Sequence, residues 1–302
     1  MDTKRDKDNL EKIFKKKKII KHTKNKLNKK NLLIARGTGF IGYHVARKAI
    51  KKNWNVFSIS TNLPKKKRKL NKVKYFILDI FNKSKLDKIN NIEFDYVVNL
   101  SGYVDHSNKS KTYRSHFLGC KNLTKILLRR PPISFVQMGS SLEYGKTKSK
   151  QNEYLKCKPI SIYAKSKFYS TRHLLQLYKK YNFPATILRL YQGYGEKQDE
   201  NRLIPFVIKN CLENKKFKCS EGSQIRDFIY IDDIVNAIFK VFNNKNARGK
   251  IFNLGSGRGI KIKNLIKFIN KTIKKGTPLF GKIKLRSDES LEVKPSLKRI
   301  KK

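Results

Sequence analysis

Cysteine is scarce in this chain. Cys120, Cys157, Cys211 and Cys219 are the only four, and no two of them form a CxxC pair or a metal-ligating spacing. That argues against a disulfide framework and a zinc module, predicts no metal site, and fits thiols kept reduced. Long apolar runs are missing as well. No stretch approaches the roughly 20 residues needed to cross a bilayer, and no signal-peptide core follows the basic start, so the expectation is a cytoplasmic protein without a membrane partner. Acidic residues are also few, 22 Asp and Glu against 72 Lys and Arg, for a formal net charge of +50.

Such an excess suggests a polyanionic partner, but its distribution argues otherwise. Residues 1–30 hold 13 Lys and Arg and 4 Asp and Glu, a net +9, which leaves +41 spread over the remaining chain. The excess is mostly Lys, accompanied by many Asn and Ile, the pattern of an A/T-rich coding sequence. Nucleic-acid binding is therefore not expected as the main function, while a basic surface still favours capture of a phosphorylated substrate. Residues 1–30, with Lys15-Lys16-Lys17-Lys18 and no apolar stripe, read as a flexible basic arm.

What is present is a chain long enough, at 302 residues with 38% hydrophobic content, to bury a sizeable core. Asn31–Ala35 is a short apolar run, followed by Gly37-Thr38-Gly39-Phe40-Ile41-Gly42 and then a helical pattern from Tyr43 to Ile50. Strand, glycine turn and helix together are the setting a dinucleotide fingerprint needs. The glycines let backbone N–H groups approach a pyrophosphate, and the helix N-terminus adds its positive dipole end. Further strands are expected at Val56–Ile59, Tyr75–Leu78, Tyr96–Leu100, Phe135–Met138 and Ala185–Leu190, with helices at Lys111–Leu128 and Tyr163–Tyr181. This alternation predicts an α/β fold with a doubly wound parallel (Rossmann) sheet over residues 31–190 and ligands at the carboxyl ends of its strands. Beyond Tyr191 the pattern loosens: helices at Leu203–Asn214, Asp233–Phe242 and Ile262–Ile273 and extended runs at Asp227–Tyr230 and Ile251–Leu254 predict a smaller lobe over 191–302 that closes over the strand ends.

Tyr163 and Lys167 stand four residues apart and so share one helix face. A fixed ammonium near a phenol favours the phenolate. Ser140, at the end of a separate strand, is placed to hold a carbonyl or carbinol oxygen against the phenol. The set suits proton transfer to a carbonyl oxygen while a hydride moves to its carbon.

Ordered along the chain, these motifs resemble the extended short-chain dehydrogenase/reductases, the NAD-dependent epimerase/dehydratase family that acts on nucleotide sugars. The likeness rests on Gly37–Gly42, Asn99-Leu100-Ser101-Gly102, Ser140-Ser141-Leu142-Glu143-Tyr144-Gly145 and Tyr163–Lys167. It continues through Arg189–Gly195, Arg202-Leu203-Ile204-Pro205 and Arg226–Asp233, and the stretch from Arg202 to Asp233 is especially similar to 4-keto-6-deoxy-sugar reductases of the CDP-abequose synthase type. The resemblance implies Tyr163 as general acid/base, Lys167 as the group that lowers its pKa and binds the nicotinamide ribose, and Ser140 as the hydroxyl that positions the reacting oxygen. It implies Gly37, Gly39, Phe40, Ile41 and Gly42 around the pyrophosphate, Ser60 and Thr61 at the adenosine ribose, and Asp79 and Ile80 at the adenine. Leu100, Ser101 and Gly102 would line the same cofactor. Ser141, Tyr191, Arg202 and Arg226 would meet the substrate, with Arg226 clamping its diphosphate; without the resemblance Asp79 reads equally well as a helix N-cap. A homodimer through the helices Lys111–Leu128 and Tyr163–Tyr181 is also implied.

Three departures stand out. Arg36 occupies a position where the family has Gly, which predicts crowding of the turn, with contact to a cofactor phosphate as the alternative. His116 replaces the helix Asn that supports the Lys. The family sequence continues past a segment like Ser296–Ile300, so part of the closing lobe is expected to be absent. Ser141 and Leu142 replace the Asp-Glu pair of 4,6-dehydratases, leaving ketoreductase or epimerase. The second strand ends in Ser60-Thr61-Asn62 with no carboxylate for a ribose 2′-OH, which favours NADP over NAD and hence net reduction of a 4-keto-6-deoxy nucleotide-diphosphate sugar. An NAD-dependent epimerase is the runner-up, and a dinucleotide-binding protein with impaired catalysis is the third reading.

Overall fold

The computed structural model describes residues 29–103, 108–147, 150–285 and 289–301. The basic arm, apart from Lys29 and Lys30, lies outside the described residues. The chain begins with β1 (Asn31–Ala35), α1 (Phe40–Lys51), β2 (Asn55–Ser60), β3 (Val73–Ile77), the short α2 (Lys83–Leu86) and β4 (Tyr96–Asn99). A composite helix follows, α3 (Lys109–Tyr113), a π-helical turn (Arg114–Leu118) and α4 (Gly119–Leu127), and then β5 (Ser134–Ser140), α5 (Ile162–Tyr181) and β6 (Ala185–Leu190). The later part supplies β7 (Gln192–Tyr194), α6 (Leu203–Leu212), β8 (Lys216–Lys218), β9 (Ile225–Tyr230), α7 (Ile231–Phe242) and β10 (Ile251–Leu254). It ends with β11 (Gly259–Lys261), α8 (Ile262–Ile273), β12 (Thr277–Leu279) and β13 (Glu292–Val293).

The main sheet has seven parallel strands in the order β10-β6-β5-β4-β1-β2-β3. Side chains alternate across it as a strand's period of two requires. Leu32 and Ile34 of β1 join the core under α1 and α7, and Leu33 and Ala35 join the core under α4 and α5. Burial on both faces explains why the strands read as continuous apolar runs. The seventh strand is Ile251–Leu254, so the chain leaves the sheet after β6 and returns to its edge some sixty residues later. The intervening and following elements build a separate small sheet, β11-β9-β13 with β7 on β9, over a third core of Val207, Cys211, Phe217, Cys219, Ile262, Ile266 and Ile269. All four cysteines are free, and three are buried.

Strand order reverses at β1, which pairs with β2 on one side and β4 on the other. The loops leaving the carboxyl ends of β1 and β4 therefore diverge and open a crevice, the position where such sheets bind ligands.

Candidate active site

Two loops flank this crevice. After β1 the chain turns through Arg36 to Gly39, and Gly39 is the N-cap of α1 without a side-chain hydrogen bond; no acidic residue stands in the first turn. A Cβ on Gly42 would lie 2.6 Å from Gly37 Cα, so the helix packs on the turn at backbone contact. Phe40 and Ile41 head this helix, whose first N–H groups lack partners within the helix. The geometry fits a pyrophosphate. After β4, Leu100 N–H donates to Ala35 O (3.1 Å) and Ser101 N–H to Asn99 Oδ1 (3.1 Å). Gly102 follows with φ +156°, and a Cβ there would fall 1.7 Å from Cε1 of His116. Only glycine fits beneath that imidazole.

The π-helical turn brings His116 to this place by inserting one residue into the helix, an irregularity frequent at functional sites. The imidazole meets the Tyr163 ring edge-on, with centroids 4.9 Å apart and planes at 82°. The Tyr163 phenol lies beside the Ser140 side chain. Burial raises its pKa, and Glu143 adds to that rise, while Ser140, Arg36 and Arg202 lower it. Lys167 is buried and its Nζ donates to Met138 O (2.7 Å). Burial pulls its pKa down to about 8, opposed chiefly by Glu143. Arg36 and Arg202 are thus the cations acting on the phenol, while the Lys167 ammonium is tied to the strand carrying Ser140.

A consequence can be measured. An ammonium depressed from 10.5 to about 8 costs folding free energy at pH below 8, and the cost vanishes as pH rises through the window from 8 to 10.5. Lys167→Met should therefore gain stability relative to wild type at pH 7, by on the order of 2–3 kcal/mol before packing losses, and lose that advantage near pH 10. Urea unfolding at the two pH values reads the difference; a pH-independent difference would contradict the depressed ammonium.

Ser140 sits on a support absent from the sequence-level expectations. Leu142 N–H donates to Ser140 Oγ (3.2 Å) and Ser140 N–H donates to Glu143 Oε1 (2.9 Å), a capping box on the short 3₁₀ turn Ser141–Tyr144. Glu143 Oε2 accepts from Thr171 Oγ1 (2.9 Å) of α5 and from Arg189 Nε (3.1 Å) of β6. The Arg189 guanidinium also lies 4.4 Å from the Tyr144 ring centroid. The S-x-x-E spacing of Ser140 and Glu143, and a charge inside the apolar strand Ala185–Leu190, were the available sequence signals.

The other expected residues are distributed as follows. Ser60 is buried, and its hydroxyl donates to Ile59 O (2.7 Å), while Thr61 is exposed. Asp199 reaches the same region and pairs with Lys65 (3.0 Å) and Arg68 (3.0 Å). Asp79 is exposed at the rim of an open cleft lined by Lys83, Arg114 and Lys121, and its carboxylate accepts from Phe81 N–H (2.9 Å); Asn82, not Asp79, caps α2. Ile80 is buried against Gly119. Ser141 is buried, as is Tyr191, whose hydroxyl donates to Gln151 Oε1 (2.8 Å). Arg202 is the N-cap residue of α6. Arg226 is engaged elsewhere: it pairs with Glu289 (2.8 Å) and donates to Ile225 O (2.9 Å). Among the described residues no helix is long and apolar enough to cross a membrane, and no cluster of three His, Cys, Asp or Glu could hold a metal.

Residues 32–255 match the sequence model of the NAD dependent epimerase/dehydratase family. The chain belongs to that family. Its similarity to a CDP-abequose synthase of Salmonella muenchen is 34% identity over 137 residues, 43% of this chain and 47% of the relative, so the match spans under half of that relative's length. With an ADP-L-glycero-D-manno-heptose-6-epimerase of Brachyspira hyodysenteriae it shares 27% over 263 residues, 80% of this chain and 81% of the relative. Its fold is similar to that of a UDP-glucose 4-epimerase from Thermotoga maritima solved with UDP-glucose, with a TM-score of 0.84 at 21% identity, covering 90% of this chain and 91% of that one.

Proposed function

We propose that this protein reduces a 4-keto-6-deoxy sugar carried on a nucleoside diphosphate, with NADPH as the hydride source. The observation that carries the chemistry is the Ser140 side chain beside the Tyr163 phenol, with buried Lys167 anchored on β5. A bound nicotinamide would supply the hydride to the carbonyl carbon. Tyr163 gives its proton to the carbonyl oxygen, Ser140 fixes that oxygen, Arg36 and Arg202 supply positive charge at the phenol, and Lys167, anchored on Met138 O, would meet the nicotinamide ribose. Arg202 acts electrostatically on the Tyr163 phenol and suits a substrate phosphate, and Arg226 would serve as the diphosphate clamp only after exchanging Glu289 for that ligand. The stretch shared with CDP-abequose synthase supports the reductive direction. The aromatic face shared by α3, the π turn and α5, with Tyr113, Phe117 and Tyr169 in mutual contact, suits the expected homodimer.

Epimerisation is the second reading, and Asp199 favours it. The sequence-level argument for NADP rests on a missing carboxylate after β2, yet Asp199 brings one near that region from the other lobe. The cofactor decides between the two. With the Ser60 hydroxyl committed to Ile59 O, Thr61 and Lys65 are the remaining donors to a 2′-phosphate, each contributing about 1.5–3 kcal/mol if engaged. Fluorescence titration should show about a tenfold or larger preference for NADPH over NADH at low salt, reversed in Thr61→Asp. Equal affinities, or purified protein that retains NAD, would leave the epimerase reading ahead. Turnover should be sought by NADPH oxidation across nucleotide-linked 4-keto-6-deoxy sugars.

A further inference from the structure

Arg36 adopts φ +64°, in the left-handed region. A non-glycine residue is strained there, and the turn would form with glycine without that strain. Its side chain runs back over the turn. A Cβ built on Gly39 would lie 3.7 Å from Arg36 Cγ and 3.8 Å from its Nε, and Nη1 donates to Gly102 O (2.7 Å). The guanidinium therefore bridges the two loops of the switch-point crevice, beside the uncapped N-terminus of α1. One hydrogen bond to a carbonyl recovers little more than the backbone strain.

Among the described residues Arg36 forms no ion pair. Its charged neighbours are Arg68 and Arg202, which repel it, and Asp199, which Lys65 and Arg68 already share. Tyr163 and Lys167 are the remaining ionisable neighbours, and Lys167 is a further cation. A cation placed at the positive end of a helix, among other cations, is an arrangement that an anion between them would relieve. A guanidinium has five N–H donors, and one is in use here.

We propose that Arg36 is a phosphate-binding residue for the dinucleotide: the guanidinium remains anchored over the glycine turn and directs its other donors to the diphosphate, adding a side-chain ligand where backbone N–H groups otherwise act alone. This rests on the turn being the dinucleotide site. Of the two sequence-level expectations for Arg36, it takes phosphate contact over crowding.

The test separates charge from space by calorimetric titration of wild type, Arg36→Met, Arg36→Lys and Arg36→Gly with ADP, adenosine and NAD. Arg36→Met keeps an unbranched side chain and removes the cation. It should weaken ADP and NAD about tenfold or more while leaving adenosine within about twofold, and it should flatten the salt dependence of ADP binding. Arg36→Lys should fall between, because an ammonium lacks the planar fork. Arg36→Gly relieves the strained φ but gives up the Gly102 hydrogen bond and some backbone rigidity, so its urea midpoint should stay near wild type, and its ADP affinity should drop as in the Met variant; this variant also guards against a Met variant that fails to fold. ADP affinity unchanged or tightened in the Gly and Met variants would overturn the proposal and leave crowding as the role of Arg36. Wild-type protein that binds none of the three probes would instead overturn the reading of the turn as a dinucleotide site, and the proposal with it.

Discussion

Tyr163→Phe should reduce turnover by a factor of order 10² or more while the substrate and cofactor still bind. The substitution keeps the ring that packs against His116 and removes only the hydroxyl beside Ser140. The loss should therefore appear in kcat with little change in KM, and the unfolding free energy should move by about 1 kcal/mol, the worth of one hydrogen bond. Ser140→Ala should lower kcat less, because the phenol remains. Steady-state kinetics beside urea unfolding would distinguish the cases. Wild-type turnover in Tyr163→Phe would sink the assignment of the phenol, and a large stability loss would show that the hydroxyl is structural.

Arg189→Met should be the most destabilising single change near the site. Arg189 is 2% exposed and Glu143 fully buried, with Nε 3.1 Å from Oε2. Burial alone would lower the Arg189 pKa, but Glu143 and Tyr144 raise it above the ordinary value, so the guanidinium is charged across the working range. Removing one partner leaves an uncompensated charge, at a cost of about 3–5 kcal/mol. The double variant Arg189→Met/Glu143→Gln should recover part of that, since the stranded carboxylate is gone. Because Glu143 also accepts the Ser140 N–H, the single variant should lower turnover as well. A loss under 1 kcal/mol in urea would mean that water or another cation reaches Glu143.

Much of the frame could be read directly. The sixth strand and the last long helix fall at the expected Ala185–Leu190 and Ile262–Ile273, and Ser140, Tyr163 and Lys167 meet at the end of β5. These features depend on local periodicity and on strand-end position, which a linear reading captures. Other features depend on residues far apart in sequence. Ile251–Leu254 reads as an isolated extended run, and its pairing with β6 is a long-range choice. Asp199 arrives beside Lys65 across 134 positions. The π turn that sets His116 leaves no periodic trace in a helix expected to run unbroken from Lys111 to Leu128. The partners of Lys167 and Arg226, Met138 O and Glu289, likewise come from elements that a motif does not contain.

The return of the chain to the sheet edge also bears on synthesis. While residues up to Leu190 have emerged and β10 has not, β6 presents an unpaired edge with buried-type residues such as Ile187 and Leu188. Such edges pair readily with other chains. At about 5–20 residues per second, the sixty-odd residues to Leu254 keep that edge open for several seconds, far longer than a helix takes to form. The nascent chain is therefore most open to aggregation in this interval, and translation speed between β6 and β10 should influence the yield of folded protein.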